Sequence, residues 1–195
     1  MTRSSMGQVG AIVAVAVVGA LIGRASASVA DPEHRKATSA ESSPTSRSAA
    51  VAAIGFLDAL RWNVVINETE RRRVLSIHAT PRAADELDSQ LVAAAAGLSE
   101  AVAEPPVVAR TAVLGYRVLH ADGQRASVRV WGFALFGTGS YEPATQWSTS
   151  EVELVWSDDR WLVDGIESRG GPSPSSGVHA LARRARGLRE VRDVP

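Results

Sequence analysis

Metal binding and acid–base catalysis need suitable side chains close together, and the sequence offers few of them. None of the four histidines stands at metal-ligand spacing to another. The chain has no cysteine, which excludes a thiolate zinc site, a cysteine nucleophile and a disulfide framework. We therefore predict no metal, no cofactor and no catalytic residue. The histidines are His34, His78, His120 and His179.

Two pairs of carboxylates could in principle do acid–base work. Asp158 and Asp159 are adjacent between two predicted strands, where aspartate favours a turn, so we interpret them as turn residues. Glu151 and Glu153 alternate with apolar residues, which places both on the sheet face opposite the core. There they either meet water or face a basic partner.

A cleft between a sheet and its helices is the other place where chemistry could occur. An enzyme using it would need an acid or base and an oxyanion donor that converge inside. For each available side chain, packing or surface exposure is the simpler interpretation. The residues that strand alternation could direct into such a cleft are Tyr116, His120, Arg129 and Trp147.

Three helices are predicted ahead of the first strand. Apolar residues at spacings of three and four predict the first, from residue 49 to Val64. The second covers 68–78, where Arg71, Arg72 and Arg73 point in different directions and indicate a solvated helix. Thr80 and Pro81 begin the third, because threonine caps free amides and proline loses no donor in the first turn.

Four strands are predicted after the helices, at 108–120, 124–136, 145–156 and 161–167, with a loop at 137–144. Residues 121–123 form the first hairpin turn. In the second strand the apolar positions change phase at Gly132, which predicts a bulge there. Trp156 and Trp161 flank the Asp158 turn and are expected to form a cross-strand aromatic pair.

The element order predicts an α+β fold. About three N-terminal helices pack on a curved four-stranded antiparallel sheet in a cone-like arrangement, over residues 49–168. A tether rich in serine, proline and charge is predicted at 31–48.

The N-terminus carries an export signal. Residues 9–23 contain no charge, and fifteen helical residues span roughly 22 Å, which is short for a bilayer. Small-x-small cleavage patterns follow at 25–27 and 28–30, whereas Arg24 directly after the apolar run is typical of an uncleaved anchor. Residues 1–30 are therefore a signal peptide or a membrane anchor. The protein is expected at the cell membrane with an extracytoplasmic domain, or secreted after cleavage.

A linker and a basic amphipathic tail are predicted at 169–195. Residues 178–191 have the spacing of a helix that could bind an anionic membrane surface or an acidic protein surface. The alternative is a solvated tail. The net charge is +0, which gives no reason to expect direct nucleic-acid binding. The arginines expected to contact a membrane or partner are Arg183, Arg184, Arg186 and Arg189.

Particular segments resemble known families. The element order and the closing hairpin VELVWSDDRWLVDGI resemble the nuclear-transport-factor-2-like superfamily, also called cystatin-like or SnoaL-like. The stretches FLDALRWNVVINETERRR, Ala-Thr-Pro at 79–81, VRVWGFALFG and TQWSTSEVELVW are similar to actinobacterial conjugal-transfer proteins of type IV secretion systems. Neither resemblance carries a catalytic signature.

The resemblance implies a non-catalytic extracytoplasmic scaffold that assembles with other membrane or secretion-channel subunits or with copies of itself, held at the membrane by its N-terminal segment. The alternatives are a secreted small-ligand-binding protein or enzyme using the cone cleft, and an Mce-associated membrane protein. A cleft filled by Phe56, Leu60 and Trp131 would favour the scaffold. Buried polar groups at hydrogen-bond distance inside a cleft would favour the enzyme.

Overall fold

Helices and strands are segregated along the chain, with the helices first. A computed structural model describes residues 44–102, 108–138, 141–173 and 189–190. The strands form one antiparallel sheet in the order β4-β3-β2-β1-β5, which confirms the predicted α+β class. The helices are α1 (Ser46–Ala59), α2 (Trp62–Ile66), α3 (Glu68–His78) and α4 (Pro81–Val102), and the strands are β1 (Val108–Ala121), β2 (Arg125–Thr138), β3 (Tyr141–Ser157), β4 (Arg160–Gly170) and β5 (Arg189–Glu190).

α1 begins with a capping box and ends earlier than predicted. Thr45 accepts a hydrogen bond from the Ser48 amide, and Ser48 accepts one from the Thr45 amide, so two free donors are satisfied. The single helix predicted to reach Val64 is wrong, because the chain leaves helical geometry at Leu60 and re-enters it in α2. The apolar spacing continues across the break since α2 buries Val65 in the same core.

The junction between α3 and α4 attaches the helices to β4. Thr80 caps α4, as predicted, by accepting a hydrogen bond from the Ala83 amide at 3.3 Å. Its hydroxyl donates to Asp164 at 2.9 Å, and its own amide donates to the Val163 carbonyl at 2.8 Å. Thr80 therefore both caps α4 and bonds the junction between α3 and α4 to β4.

Asp164 reaches the helices because β4 carries one extra residue at that point. The register of β4 against β3 shifts between the pairs at Glu153 and Leu154, and such a bulge redirects a side chain. Arg82 of α4 forms an ion pair with the Asp164 carboxylate at 3.0 Å and donates to its carbonyl at 2.7 Å. The bulge thus fixes the start of α4 on the sheet.

Arg71 is not on a solvated face, so the prediction for it is wrong. Its side chain is 4% exposed, and its Nε donates to Asp88 at 2.7 Å while Nη1 donates to the Val65 carbonyl at 2.7 Å. Arg72 and Arg73 are exposed and form ion pairs with acidic neighbours. Because a buried charge must be paired, Arg71 ties α2, α3 and α4 together.

β2 alternates without the phase change predicted at Gly132. The register shifts of β1 against β2 lie at Leu114 and Leu119, both in β1. A bulge does lie beside Gly132, but its extra residue is Leu114 in β1, between the pairs that Gly132 and Trp131 make. A Cβ atom at Gly132 would come within 2.3 Å of the Ala112 carbonyl oxygen, so glycine is needed there for close strand approach. The β2 residues buried towards the helices are Ala126, Val128, Val130, Gly132, Ala134 and Phe136.

The loop predicted at 137–144 is mostly strand. β2 extends to Thr138 and β3 starts at Tyr141, and these two residues pair with each other. Residues 139–140 lie outside the described part of the chain. Glycine, serine and proline indicated a loop, but pairing between long neighbouring strands overrides local propensity.

The predicted tryptophan pair is confirmed. Trp156 and Trp161 meet edge to face, with ring centroids 5.3 Å apart and an interplanar angle of 73°. Trp161 is 6% exposed, and its Nε1 donates to the Ser48 hydroxyl at 2.9 Å. The hairpin is therefore anchored to the start of α1.

The predicted export segment, 1–30, lies outside the described residues, as does most of the tether. α1 already begins at Ser46, ahead of residue 49. Within the part of the chain that the structure describes, no helix is both long and apolar enough to span a membrane.

Replacing Trp161 with alanine should lower the free energy of unfolding by about 3–5 kcal/mol, because a buried aromatic ring leaves a cavity. Trp156→Ala should cost less, since Trp156 is only half-buried. Urea unfolding of the full chain measures both. A change below about 1 kcal/mol for Trp161→Ala would contradict its burial and its bond to Ser48.

The β3–β4 turn should accept a stabilising glycine. Asp158 and Asp159 both have positive φ, 51° and 57°, as in the type I′ hairpin turn that favours glycine at its second position. Asp159→Gly should raise the free energy of unfolding by about 1 kcal/mol. Asp85→Gly on α4 is the control and should not stabilise, and a loss of stability for Asp159→Gly would contradict the turn assignment.

Candidate functional site

The four residues predicted for a cleft do not come together. Tyr116 is 4% exposed and belongs to the core between sheet and helices. His120 is exposed near the β1–β2 turn. Arg129 and Trp147 pair across strands with Arg117 and Phe133, on the sheet face away from the helices. Packing for Tyr116 and surface exposure for His120 agree with the simpler interpretation, and Arg129 and Trp147 lie on the other face from Tyr116 because neighbouring strand positions alternate between the two faces.

The space between the helices and the sheet is filled by side chains. Phe56 and Leu60 are both fully buried there, as the scaffold interpretation expected. Trp131 is not, because it lies on the opposite face of β2. The buried Ser150 hydroxyl is 2.8 Å from that of the exposed Ser168, at the far end of β4 from the hairpin.

The sheet face away from the helices, here called the outer face, carries an aromatic surface. The Trp131 and Trp147 rings stack with centroids 5.6 Å apart and an angle of 28°, and Phe133 lies 5.1 Å from Trp147. All of these side chains are half-buried. We call the set the aromatic platform, and it consists of Trp131, Phe133, Leu135 and Trp147.

Sequence reasoning missed this surface because it assigned the aromatic side of β2 to the core. Trp131, Phe133 and Leu135 alternate with the buried residues of the same strand. The signal was present as an uninterrupted period of two. A strand with two apolar faces looks, in sequence, like a strand whose phase has changed.

The chain passes over the aromatic platform after β4. The Trp131 indole Nε1 donates to the Pro172 carbonyl at 3.1 Å, and the Gly171 amide donates to the Trp147 carbonyl at 2.9 Å. Pro172 itself is buried. The segment 171–173 therefore covers part of the platform.

A charged row lies beside the platform on the outer face. Arg129 Nη2 is 2.9 Å from Glu151 Oε2, and the Ser127 hydroxyl donates to Glu151 Oε1 at 3.3 Å. Glu151 and Glu153 do lie opposite the core, as predicted. Because Glu151 is paired internally, it is not part of a free acidic stripe.

Arg129 is only partly satisfied by these contacts. Its Nε is buried without a hydrogen-bond partner, while its side chain as a whole is one-third exposed. Arg117 lies directly across from it on β1. The outer face therefore carries the aromatic platform beside a row of side chains with mixed charges.

The third feature is the edge of β1 that faces away from β2. β1 pairs with β5 only at Gly115 and Tyr116. Its exposed apolar side chains are Val108, Leu114 and Leu119, at 41%, 36% and 37% exposure. Leu114 and Leu119 stand at the two bulges. Much of this edge is left without a partner strand among the described residues.

The predicted tail helix is wrong where the structure describes it. Arg189 and Glu190 form β5 and pair with β1, because the unpaired edge offers backbone hydrogen bonds that a separate helix would not use. Arg183, Arg184 and Arg186 lie outside the described residues. Their membrane or partner contact stays a prediction.

His120 belongs to the β1–β2 turn. Asp122 accepts hydrogen bonds from the amides of Arg125 and Gln124 at 2.8 and 2.9 Å, and His120 Nε2 is 3.2 Å from its carboxylate. The two amides lower the pKa of Asp122 from 3.8 to about 2. Gly123 completes the turn with a φ of 90°, as predicted.

His78 is half-buried beside Phe56, with ring centroids 6.3 Å apart. Burial lowers the pKa of His78, and the charge of Arg160 lowers it further. Across the described ranges, histidine, aspartate and glutamate nowhere gather in threes that could hold a metal ion.

Comparison with known proteins leaves the function to be argued from these surfaces. No family model matches the chain, and no curated protein matches it. Among solved structures it is similar to the intermembrane space region of the chloroplast protein ARC6, with 16% identity and a TM-score of 0.40. That likeness covers 63% of this chain and 97% of the other.

The hydrogen bonds that Asp122 accepts in the β1–β2 turn predict that the folded state loses stability in acid. Folding lowers the pKa of Asp122, so the unfolded chain binds the proton more readily than the folded chain does. The stabilisation of the folded state by Asp122 is therefore complete above about pH 4 and is lost as pH falls through about 2. Asp122→Ala should therefore flatten the loss of stability between these pH values. Urea midpoints for wild type, Asp122→Ala and the control Asp85→Ala test it, and parallel curves for wild type and Asp122→Ala would contradict it.

Proposed function

We propose that this protein is a non-catalytic extracytoplasmic scaffold in a conjugation-like type IV secretion channel. Residues 1–30 would direct it to the membrane, and the folded domain would assemble with other channel subunits. Its helices and curved sheet would be a cone-like variant of the nuclear-transport-factor-2-like fold. The proposal rests on the sequence resemblance and on one structural observation.

That observation is the edge of β1. Among the described residues, only Gly115 and Tyr116 pair with a strand on this side of β1, and the backbone donors and acceptors of an edge strand are a template for pairing with another chain. Three of the six large hydrophobic residues with high exposure among the described residues lie on this strand, whereas Val51, Ile77 and Val92 lie on three different helices. An exposed apolar edge of this length suits a subunit that works by assembly.

The filled interior supports the scaffold over the alternative of an enzyme or ligand binder using the cleft. Phe56 and Leu60 are fully buried between the helices and the sheet. Tyr116 packs among them in the core, and His120 and Arg129 lie elsewhere. The polar groups that a cleft reaction would require are thus apart from one another.

β5 also supports pairing at this edge. Arg189 and Glu190 show that the Gly115–Tyr116 stretch accepts a strand. A two-residue strand adds few hydrogen bonds, so a longer strand from another subunit would extend or replace it. The bulges at Leu114 and Leu119 would then set the register of that pairing.

Deleting the gene in its native host and measuring transfer of the resident conjugative element tests the proposal. Transfer should fall, and the wild-type gene should restore it. Leu114→Lys/Leu119→Lys should fail to restore transfer, because lysines on an edge strand oppose pairing. The matched control is Ile77→Lys/Val92→Lys, which places the same two charges at exposed apolar sites on α3 and α4.

The outcomes separate two claims. Unchanged transfer in the deletion strain would overturn the secretion-channel assignment. Full restoration by the double lysine variant, at wild-type protein levels, would overturn the β1 edge as the assembly surface.

A further inference from the structure

The aromatic platform is apolar surface that the fold does not use for its core. Its four side chains lie on the outer face of the sheet, whereas the core cluster is built from the inner face and the helices. All four are partly exposed, and apolar clusters at a surface mark interaction sites more often than isolated hydrophobic residues do. The question is which chemistry the platform recognises.

The chain itself supplies an example of a bound segment. Pro172 is buried, and its carbonyl accepts the indole hydrogen of Trp131 at 3.1 Å. The residues around it, 171–173, belong to no helix or strand. Proline fixes φ near −65° and suits an extended chain. The observed contact is therefore an indole donor meeting the backbone of a proline-containing segment.

This contact has the physical features of proline-rich recognition. Extended proline-rich chains make no internal hydrogen bonds, so their carbonyls are free to accept from a partner. Their rings pack on aromatic side chains, and their stiffness reduces the entropy lost on binding. Trp131 offers both the flat ring and the donor, and Trp147 and Phe133 extend the aromatic surface beside it.

We infer that the aromatic platform is a docking site for an extended, proline-containing segment of a partner protein, and that residues 171–173 occupy part of it within the chain. Trp131, Phe133 and Trp147 are partly exposed, and Trp131 is hydrogen-bonded to the Pro172 carbonyl. A partner segment would displace 171–173 from Trp131 and continue along the neighbouring rings. The inference does not rest on the secretion-channel proposal, because it concerns the outer face and not the β1 edge.

A sugar chain is the rival occupant, since sugar rings also stack on tryptophan. The hydrogen bond made by Trp131 favours a peptide, because the acceptor seen in the structure is a backbone carbonyl next to a proline ring. The experiment includes a chitin oligomer so that the two can be told apart.

The test is calorimetric titration of the purified full chain with three probes. They are the peptide PPSPPSPPSP, its counterpart with alanine at every proline, and an N-acetylglucosamine hexamer. The proline peptide should bind and the alanine peptide should bind at least about fivefold more weakly, because alanine leaves the free peptide flexible. Equal binding of the two peptides, no peptide binding, or binding of the sugar alone would overturn the inference.

Trp131→Phe keeps an aromatic ring but removes the indole donor. It should weaken binding of the proline peptide about fivefold, the value expected for one hydrogen bond of about 1 kcal/mol. Trp156→Phe is the matched control, since Trp156 is also a half-buried member of a tryptophan pair, and it should leave binding unchanged. Equal effects of the two variants would overturn the assignment to the platform.

A second variant avoids any change to the platform itself. Pro172→Ala should tighten binding of the proline peptide severalfold, because the internal segment then competes less well for Trp131. Weaker or unchanged binding would overturn the claim that residues 171–173 share this site. Circular dichroism melts of each variant show whether the fold is retained.

Discussion

β2 presents a different apolar surface on each side of the sheet, since its residues alternate against β3 without interruption from Arg125 to Phe136. Val128 and Val130 face the helices and are almost fully buried. Trp131 and Phe133 necessarily face the other way. One strand thus provides the centre of the core and most of the aromatic platform, and a register slip of one residue would exchange the two surfaces.

The helices are held on the inner face by polar joints as well as by apolar burial. Arg71 pairs with Asp88 and with the Val65 carbonyl, and Thr80 bonds to Asp164 and Val163. These bonds are directional, so they fix how α3 and α4 sit where apolar contacts alone would allow sliding. The helices of the described residues therefore lie on the inner face, and none of them covers the platform.

Local signals predicted much of this architecture. The bounds of α3, the threonine–proline start of α4, the first hairpin turn and the Trp156–Trp161 pair were all read from neighbouring residues. The failures needed information from distant parts of the chain. Burial of Arg71 depends on Asp88, 17 residues away. Glycine is required at position 132 because the carbonyl of Ala112 on another strand leaves no room for a side chain.

The candidate surfaces were harder to predict than the fold for the same reason. Alternation alone does not say whether an aromatic face of a strand is core or surface, because that depends on which face the helices cover. The role of Pro172 could not be seen either, since it depends on the path of the chain after β4. Arg129 and Trp147 were considered as residues of a cleft, but they belong to the outer face.

Nuclear magnetic resonance of the indole groups tests the separation of the two faces most directly. The chain has five tryptophans, and each gives one indole N–H signal in the full chain. During titration with the proline peptide, the signals of Trp131 and Trp147 should shift together while that of the core residue Trp161 stays in place. A shift of Trp161 with Trp131 and Trp147 unmoved would contradict the account.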